Sequence, residues 1–153
     1  LAKLERGEAD AILLAYSGLR RLGLGHLPKE LLDPIARPPA PGQGCLAIQV
    51  REQDAGSDWL QKMHHRPTAL AIAAERGALE ALEGSCRTAI GAHARLIGEG
   101  LDLIVEALTP DGKERFRREA SMPIAGEETA RALGLELGRS ILEEGGERLL
   151  LSV

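Results

Sequence analysis

The sequence predicts two kinds of architecture in one chain: a piece of an α/β fold, then a small α+β domain with a three-stranded antiparallel sheet and helices. Three observations carry this. Short continuous apolar runs at Asp10–Tyr16 and Cys45–Val50, each bounded by turn residues, fit strands covered on both faces. Three strand-like stretches at 92–97, 101–108 and 114–120 are separated by Gly98-Glu-Gly100 and Pro110-Asp-Gly112, which is hairpin chemistry. Two longer segments, from Pro67 to Gly84 and from Glu127 to Glu144, carry apolar residues at helical spacing.

In chain order, Leu1 and Leu4 ahead of Gly7 fit the end of an amphipathic helix closed by glycine. The run 10–16 follows as a strand, Ser17-Gly18 turns the chain, and Leu19 to Leu24 starts a helix. Residues 33–44 hold four of the eight prolines, so this segment reads as a linker. Beyond it, a strand at 45–50 and a short helix from Asp54 to His64 make a βα unit. Pro67 and Thr68 open the next helix, whose apolar residues cover more than one face, as in a helix packed on two sides. The three strands form a meander, the helix from Glu127 ends at Gly145-Gly146, and Arg148–Val153 is either a last strand or a helical extension. There is no internal repeat.

The chain has 153 residues, with 44% hydrophobic and 27% charged residues, which is the composition of a folded domain. A net charge of -4 and only three aromatics (Tyr16, Trp59, Phe116) argue against nucleic-acid binding, which uses basic faces and stacking platforms. No apolar run reaches the roughly 18–20 residues that cross a bilayer. Two cysteines, Cys45 and Cys86, fit a reducing compartment better than a disulfide scaffold. The first residues read as the middle of a helix, so the chain is expected to be part of something longer.

Four motifs carry chemistry. Ser17-Gly18-Leu19-Arg20-Arg21 sits at a helix start, where N–H groups and arginines suit a carboxylate or phosphate; its plain alternative is a capped helix with solvated arginines. Pro41-Gly42-Gln43-Gly44 is a ligand-facing turn, an interdomain hinge or a simple tight connection. Gly84-Ser85-Cys86-Arg87 places a thiol in a loop beside a cation, which lowers a thiol pKa and suits a nucleophile or an attachment point; the alternative is an inert cysteine. Cys45, in the apolar run, reads as structural. His64-His65 lack the second ligand pair of a structural zinc site and read as helix-end caps or solvated residues, so no metal is expected. No Gly-x-Ser-x-Gly elbow supports a hydrolase.

The runs Gly7–Leu24, Pro41–Glu52 and Ala74–Ala92, in this order and at these separations, resemble porphobilinogen deaminase, also called hydroxymethylbilane synthase. The resemblance spans the chain but covers only the later half of that enzyme. It implies a cytoplasmic transferase of tetrapyrrole (porphyrin and heme) biosynthesis with three domains, the first two like the lobes of periplasmic binding proteins. Residues 1–40 then correspond to the end of domain two, 41–64 to the return into domain one, and 65–153 to domain three.

The resemblance further implies that Cys86 holds a dipyrromethane cofactor through a thioether. Four porphobilinogen units add to that primer with loss of ammonia, and the linear tetrapyrrole is released by hydrolysis. Arg21 matches an arginine that contacts the pyrrole carboxylates, Ser17 and Gly18 fall at the anion-binding turn, and Gln43 and Gly44 match the cleft lining near the cofactor. Ser85 stands where a second glycine is usual, Arg87-Thr88-Ala89 where Gln-Val-Pro is common, and Cys45 where alanine is usual. The family's catalytic aspartate and most carboxylate-binding arginines belong to an N-terminal part outside this sequence. The chain alone is therefore expected to be inactive, with no catalytic residue of its own, and that N-terminal part becomes its partner alongside porphobilinogen and the growing pyrrole chain. The complete enzyme is expected to be a monomer, whereas the orphaned α/β pieces leave apolar surface that self-association would cover. Two other classes are kept open: a non-catalytic anion-binding module derived from a binding-protein lobe, and an autonomous α+β domain from about residue 65 that mainly assembles with partners.

Overall fold

The computed structural model describes residues 1–82 and 89–149. The chain divides into two compact units, Leu1–Leu32 and Asp33–Val153.

The first unit contains two short helices, α1 (Ala2–Glu5) and α2 (Tyr16–Arg21). Gly7, at φ +70°, follows α1 as the expected stop. The segment between the helices departs from the sequence expectation: residues 11–15 form no strand. Ile12, Leu13 and Leu14 are exposed, Leu13 to 83%. A strand is held by hydrogen bonds to a neighbouring strand, and the only sheet among the described residues is a three-stranded one elsewhere in the chain.

In the second unit, residues 45–50 are likewise irregular, with Leu46 exposed to 84%, for the same reason. The helix expected from Asp54 to His64 resolves into a short 3₁₀ turn at Glu52–Asp54 and α3 at Asp58–Met63. Gly56 and Ser57 separate them, and Ser57 takes the N-cap position with Asp58 in the first turn.

Helix α4 (Arg66–Ala81) carries Pro67 in its first turn, where a missing N–H costs nothing. Its N-cap is His65, whose Nδ1 lies 2.8 Å from the Thr68 hydroxyl, and His64 caps the end of α3. Strands β1 (Ile90–Ile97), β2 (Gly100–Leu108) and β3 (Arg115–Pro123) form the expected antiparallel meander in the order β1-β2-β3. Leu101, Leu103, Val105 and Ala107 alternate along β2 and face inward with Ala92, Ala94 and Phe116. Helix α5 (Glu127–Gly145) adds Ala130, Leu133, Leu137 and Ile141 at helical spacing. Gly146–Leu149 is a 3₁₀ turn, so the helical alternative holds as far as Leu149, and 150–153 lie outside the described residues.

Helices α4 and α5 cross with their backbones in contact. A Cβ on Gly134 would lie 1.9 Å from the Ala74 carbonyl oxygen, and one on Gly77 would lie 2.3 Å from that of Arg131. Arg118, on the inward face of β3, reaches α5, where it donates to Ser140 Oγ at 2.9 Å and pairs with Glu144 at 2.5 Å. The outward face of the sheet is polar, with Arg95 and Ser121 on Asp102 and Arg117 on Glu106.

The β2–β3 turn is organised by Thr109 and Asp111. The Thr109 hydroxyl donates to Asp111 Oδ1 at 2.6 Å and accepts from the Glu114 N–H at 3.1 Å, while Lys113 pairs with Asp111 at 3.0 Å. The Thr109 hydroxyl first, and Lys113 second, hold the Asp111 carboxyl below its ordinary value. A carboxyl pKa that falls on folding adds stability above the unfolded value, lost as pH drops through the folded one. Asp111→Asn is therefore expected to lower the melting temperature at neutral pH, by an amount that shrinks below about pH 4. Thermal scans of both proteins across that range check this; a pH-independent difference would count against the turn's carboxylate.

No helix among the described residues is long and apolar enough to cross a membrane.

Candidate functional site

The residues singled out by sequence fall into three places. Ser17 and Gly18 occupy the first turn of α2, and Arg20 and Arg21 its last turn. Ser17, Arg20 and Arg21 are exposed and Gly18 is half-buried. The N-cap is Ala15, which offers no side-chain cap, while the Gly18 and Leu19 N–H groups close onto the Ala15 carbonyl. Neither arginine makes an ion pair with a described residue, unlike Arg6, which pairs with Glu8 at 2.6 Å. Both guanidinium groups, on successive residues of the last turn of a six-residue helix, are therefore without a carboxylate partner among the described residues.

Gln43 and Gly44 lie in the turn Pro41–Gly44, both exposed. Gly42 and Gly44 have φ of +76° and +86°, the left-handed region that a side chain disfavours. The Gln43 N–H bonds to the Ala40 carbonyl at 3.0 Å, and its side-chain amide has no partner among the described residues. The turn is tied down from outside: the Gly42 N–H donates to Glu75 Oε2 at 2.7 Å. Glu75 comes from the middle of α4 and is only 6% exposed. Its other oxygen, Oε1, accepts from the Ala94 N–H of β1 at 2.9 Å. Sequence reading passed Glu75 over; the available signal was a lone carboxylate in the small apolar run Ala73-Ala74-Glu75 of a helix packed on two sides.

Cys86 lies outside the described residues, in the connection between the end of α4 and the start of β1. Cys45, expected in a covered strand, is instead an exposed free thiol, because its segment has no strand beside it. It borders an apolar groove with Leu46, Leu60, Met63 and Ile72. Among the described residues no three His, Cys, Asp or Glu side chains converge as a metal site.

Within the first unit, Ser17, Gly18 and Arg21 are therefore brought onto one short helix. Within the second, Gln43 and Gly44 share one turn held to α4, and α4 leads in sequence to Cys86.

Comparison with known proteins divides the chain later, between residues 58 and 69, than the boundary of the two compact units at Leu32 and Asp33. Residues 1–58 match the family model described as porphobilinogen deaminase, dipyromethane cofactor binding domain, and residues 69–143 match the porphobilinogen deaminase C-terminal domain. Ser17, Gly18, Arg21, Gln43 and Gly44 lie in the first match and Cys86 in the second. A protein of Caulobacter sp. strain K31 named porphobilinogen deaminase is 63% identical over 99% of this chain and 49% of its own length. Those of Phenylobacterium zucineum and Thermus thermophilus are 62% and 41% identical, over 99% and 100% of this chain and 48% and 50% of their own lengths. The chain spans about half the length of the curated relatives it matches. With two models of one family together matching most of its length, the chain belongs to the porphobilinogen deaminase family.

Proposed function

We propose that this chain supplies the later part of a hydroxymethylbilane synthase, a cytoplasmic transferase that condenses four porphobilinogen units head to tail with loss of ammonia. The observation that carries the reading is the succession of the two family matches along residues 1–58 and 69–143. On this reading residues 1–40 close the second domain, 41–64 return into the first, and 65–153 form the third.

The donor set fits a dipyrromethane bearing acetate and propionate groups, since Arg20 and Arg21 are exposed and unpaired within their unit. Arg21 holds a pyrrole carboxylate through a guanidinium fork, with the Ser17 hydroxyl, one helical turn earlier, as a further donor, while Gly18 adds no side chain to obstruct the approach. Gln43 offers its amide from the turn, and Gly44 keeps the approach open, as no atom lies within 4 Å of where a Cβ would stand. Cys86 supplies the sulfur of the thioether; its neighbour Arg87 favours the thiolate, which is the attacking form. The bound cofactor supplies the free pyrrole carbon at which condensation begins.

The general acid–base machinery and the remaining carboxylate-binding arginines come from the N-terminal half that the relatives carry, so the chain by itself is inactive. The exposed apolar runs at 11–15 and 45–50, irregular in this structure, are surface that this half covers. The whole protein acts as a monomer, and without that half the two runs favour self-association.

The test joins this chain to the N-terminal half of the Caulobacter relative. The joined protein is expected to consume porphobilinogen and yield a linear tetrapyrrole, whereas the chain alone yields none. A folded joined protein without turnover would contradict the reading.

A further inference from the structure

We propose that Glu75 is a positioning residue that latches the Pro41–Gly44 turn to α4 and β1, so that Gln43 and Gly44 are carried as one body with the helix leading to Cys86. The functional weight of this latch rests on the reading above; the latch itself rests on the geometry.

Strand β1 is an edge strand of the sheet, so among the described residues the N–H groups on its outer side have no strand to bond. Residues 38–44 close that edge. The Ala92 N–H donates to the Pro39 carbonyl at 2.8 Å, and the Ala94 N–H donates to Glu75 Oε1 at 2.9 Å. Gly91 admits the segment: a Cβ there would lie 2.6 Å from the Pro38 carbonyl oxygen. Farther along, the Gly42 N–H takes the other Glu75 oxygen at 2.7 Å. The proline-rich segment, which composition alone allows as a free hinge, is thus fixed at Pro38, Pro39 and Gly42.

The chemistry of the clamp requires a carboxylate. Both partners are N–H donors, so the side chain must accept twice, and a buried carboxylate is tolerated only when its oxygens are satisfied. A glutamine of the same shape accepts with one end and turns an NH₂ group toward a donor with the other. If Glu75 served only the β1 edge, one oxygen on Ala94 would suffice; the second oxygen is spent on the turn.

The test uses the 153-residue chain with Cys86→Ser, so that a trifluoromethyl tag sits on Cys45 alone, next to the turn. Fluorine resonance and amide exchange are compared with and without Glu75→Gln and, separately, Gly42→Ala, which strains the turn at φ +76° while leaving Glu75 in place. Glu75→Gln is expected to speed exchange at Gly42 or Ala94 about tenfold, the loss of one charge-assisted bond. It should also shift and broaden the fluorine signal, while amides in β2 keep their protection. Gly42→Ala should move the fluorine signal in the same way with Ala94 still protected. An unchanged fluorine signal in both variants, or no protection at Gly42 and Ala94 before substitution, would overturn the latch. Neither readout needs turnover, so this outcome is independent of the functional reading.

Discussion

Gly134→Ala is expected to destabilise the second unit by at least about 3 kcal/mol, at the upper end of overpacking changes and beyond. Alanine is the better helix former, so on an open helix the change would stabilise by about 1 kcal/mol. Here the new methyl would sit 1.9 Å from the Ala74 oxygen and 2.8 Å from the Ala78 nitrogen, and neither is the tip of a flexible side chain. The only relief is to move α4 and α5 apart, which opens the packing of Ala74, Ala78, Leu133 and Leu137 against the sheet. Gly138→Ala meets Ala81 Cβ at 2.7 Å and the Ala78 oxygen at 2.8 Å, so it should follow the same course. Gly56→Ala, with nothing within 4 Å and no left-handed φ, is the control and should be near neutral. Denaturant unfolding of the three variants checks the order; a Gly134→Ala protein as stable as Gly56→Ala would show that the helices do not cross this closely.

The second large effect concerns Cys86. In the protein joined to the N-terminal half, Cys86→Ser should abolish covalent attachment of the dipyrromethane and reduce turnover to background. A serine hydroxyl is far less ionised than a thiol near neutral pH, so the nucleophile is lost with little change in size. Cys45→Ser should retain both attachment and turnover, since Cys45 is exposed beside an apolar groove and has no assigned role in the site. Retained attachment in Cys86→Ser would move the linkage elsewhere, with Cys45 the first place to look.

How far the sequence reaches differs between the two parts of the chain. The meander and the long helices were legible because their information is local: Gly-Glu-Gly and Pro-Asp-Gly turns at 98–100 and 110–112, period-two burial along β2 and helical spacing along α5. The strands read at 10–16 and 45–50 were not, because an apolar run marks a segment fit for a sheet and cannot supply the neighbour that makes it one. Site residues on α2 and the 41–44 turn could be picked from arginine and glycine patterns. Glu75 could not, since its role depends on bringing Gly42 and Ala94 to one carboxylate from 33 and 19 residues away. The glycines at 77, 134 and 138 were equally silent: only the helix crossing makes them necessary.

Whether Cys86 bears the cofactor of a porphobilinogen deaminase can be read from mass. The joined protein, purified without added reductant-labile label, is weighed intact and mapped by peptides. The added mass of one dipyrromethane is expected, confined to the peptide that contains Cys86. An active protein whose Cys86 peptide carries no added mass would contradict it.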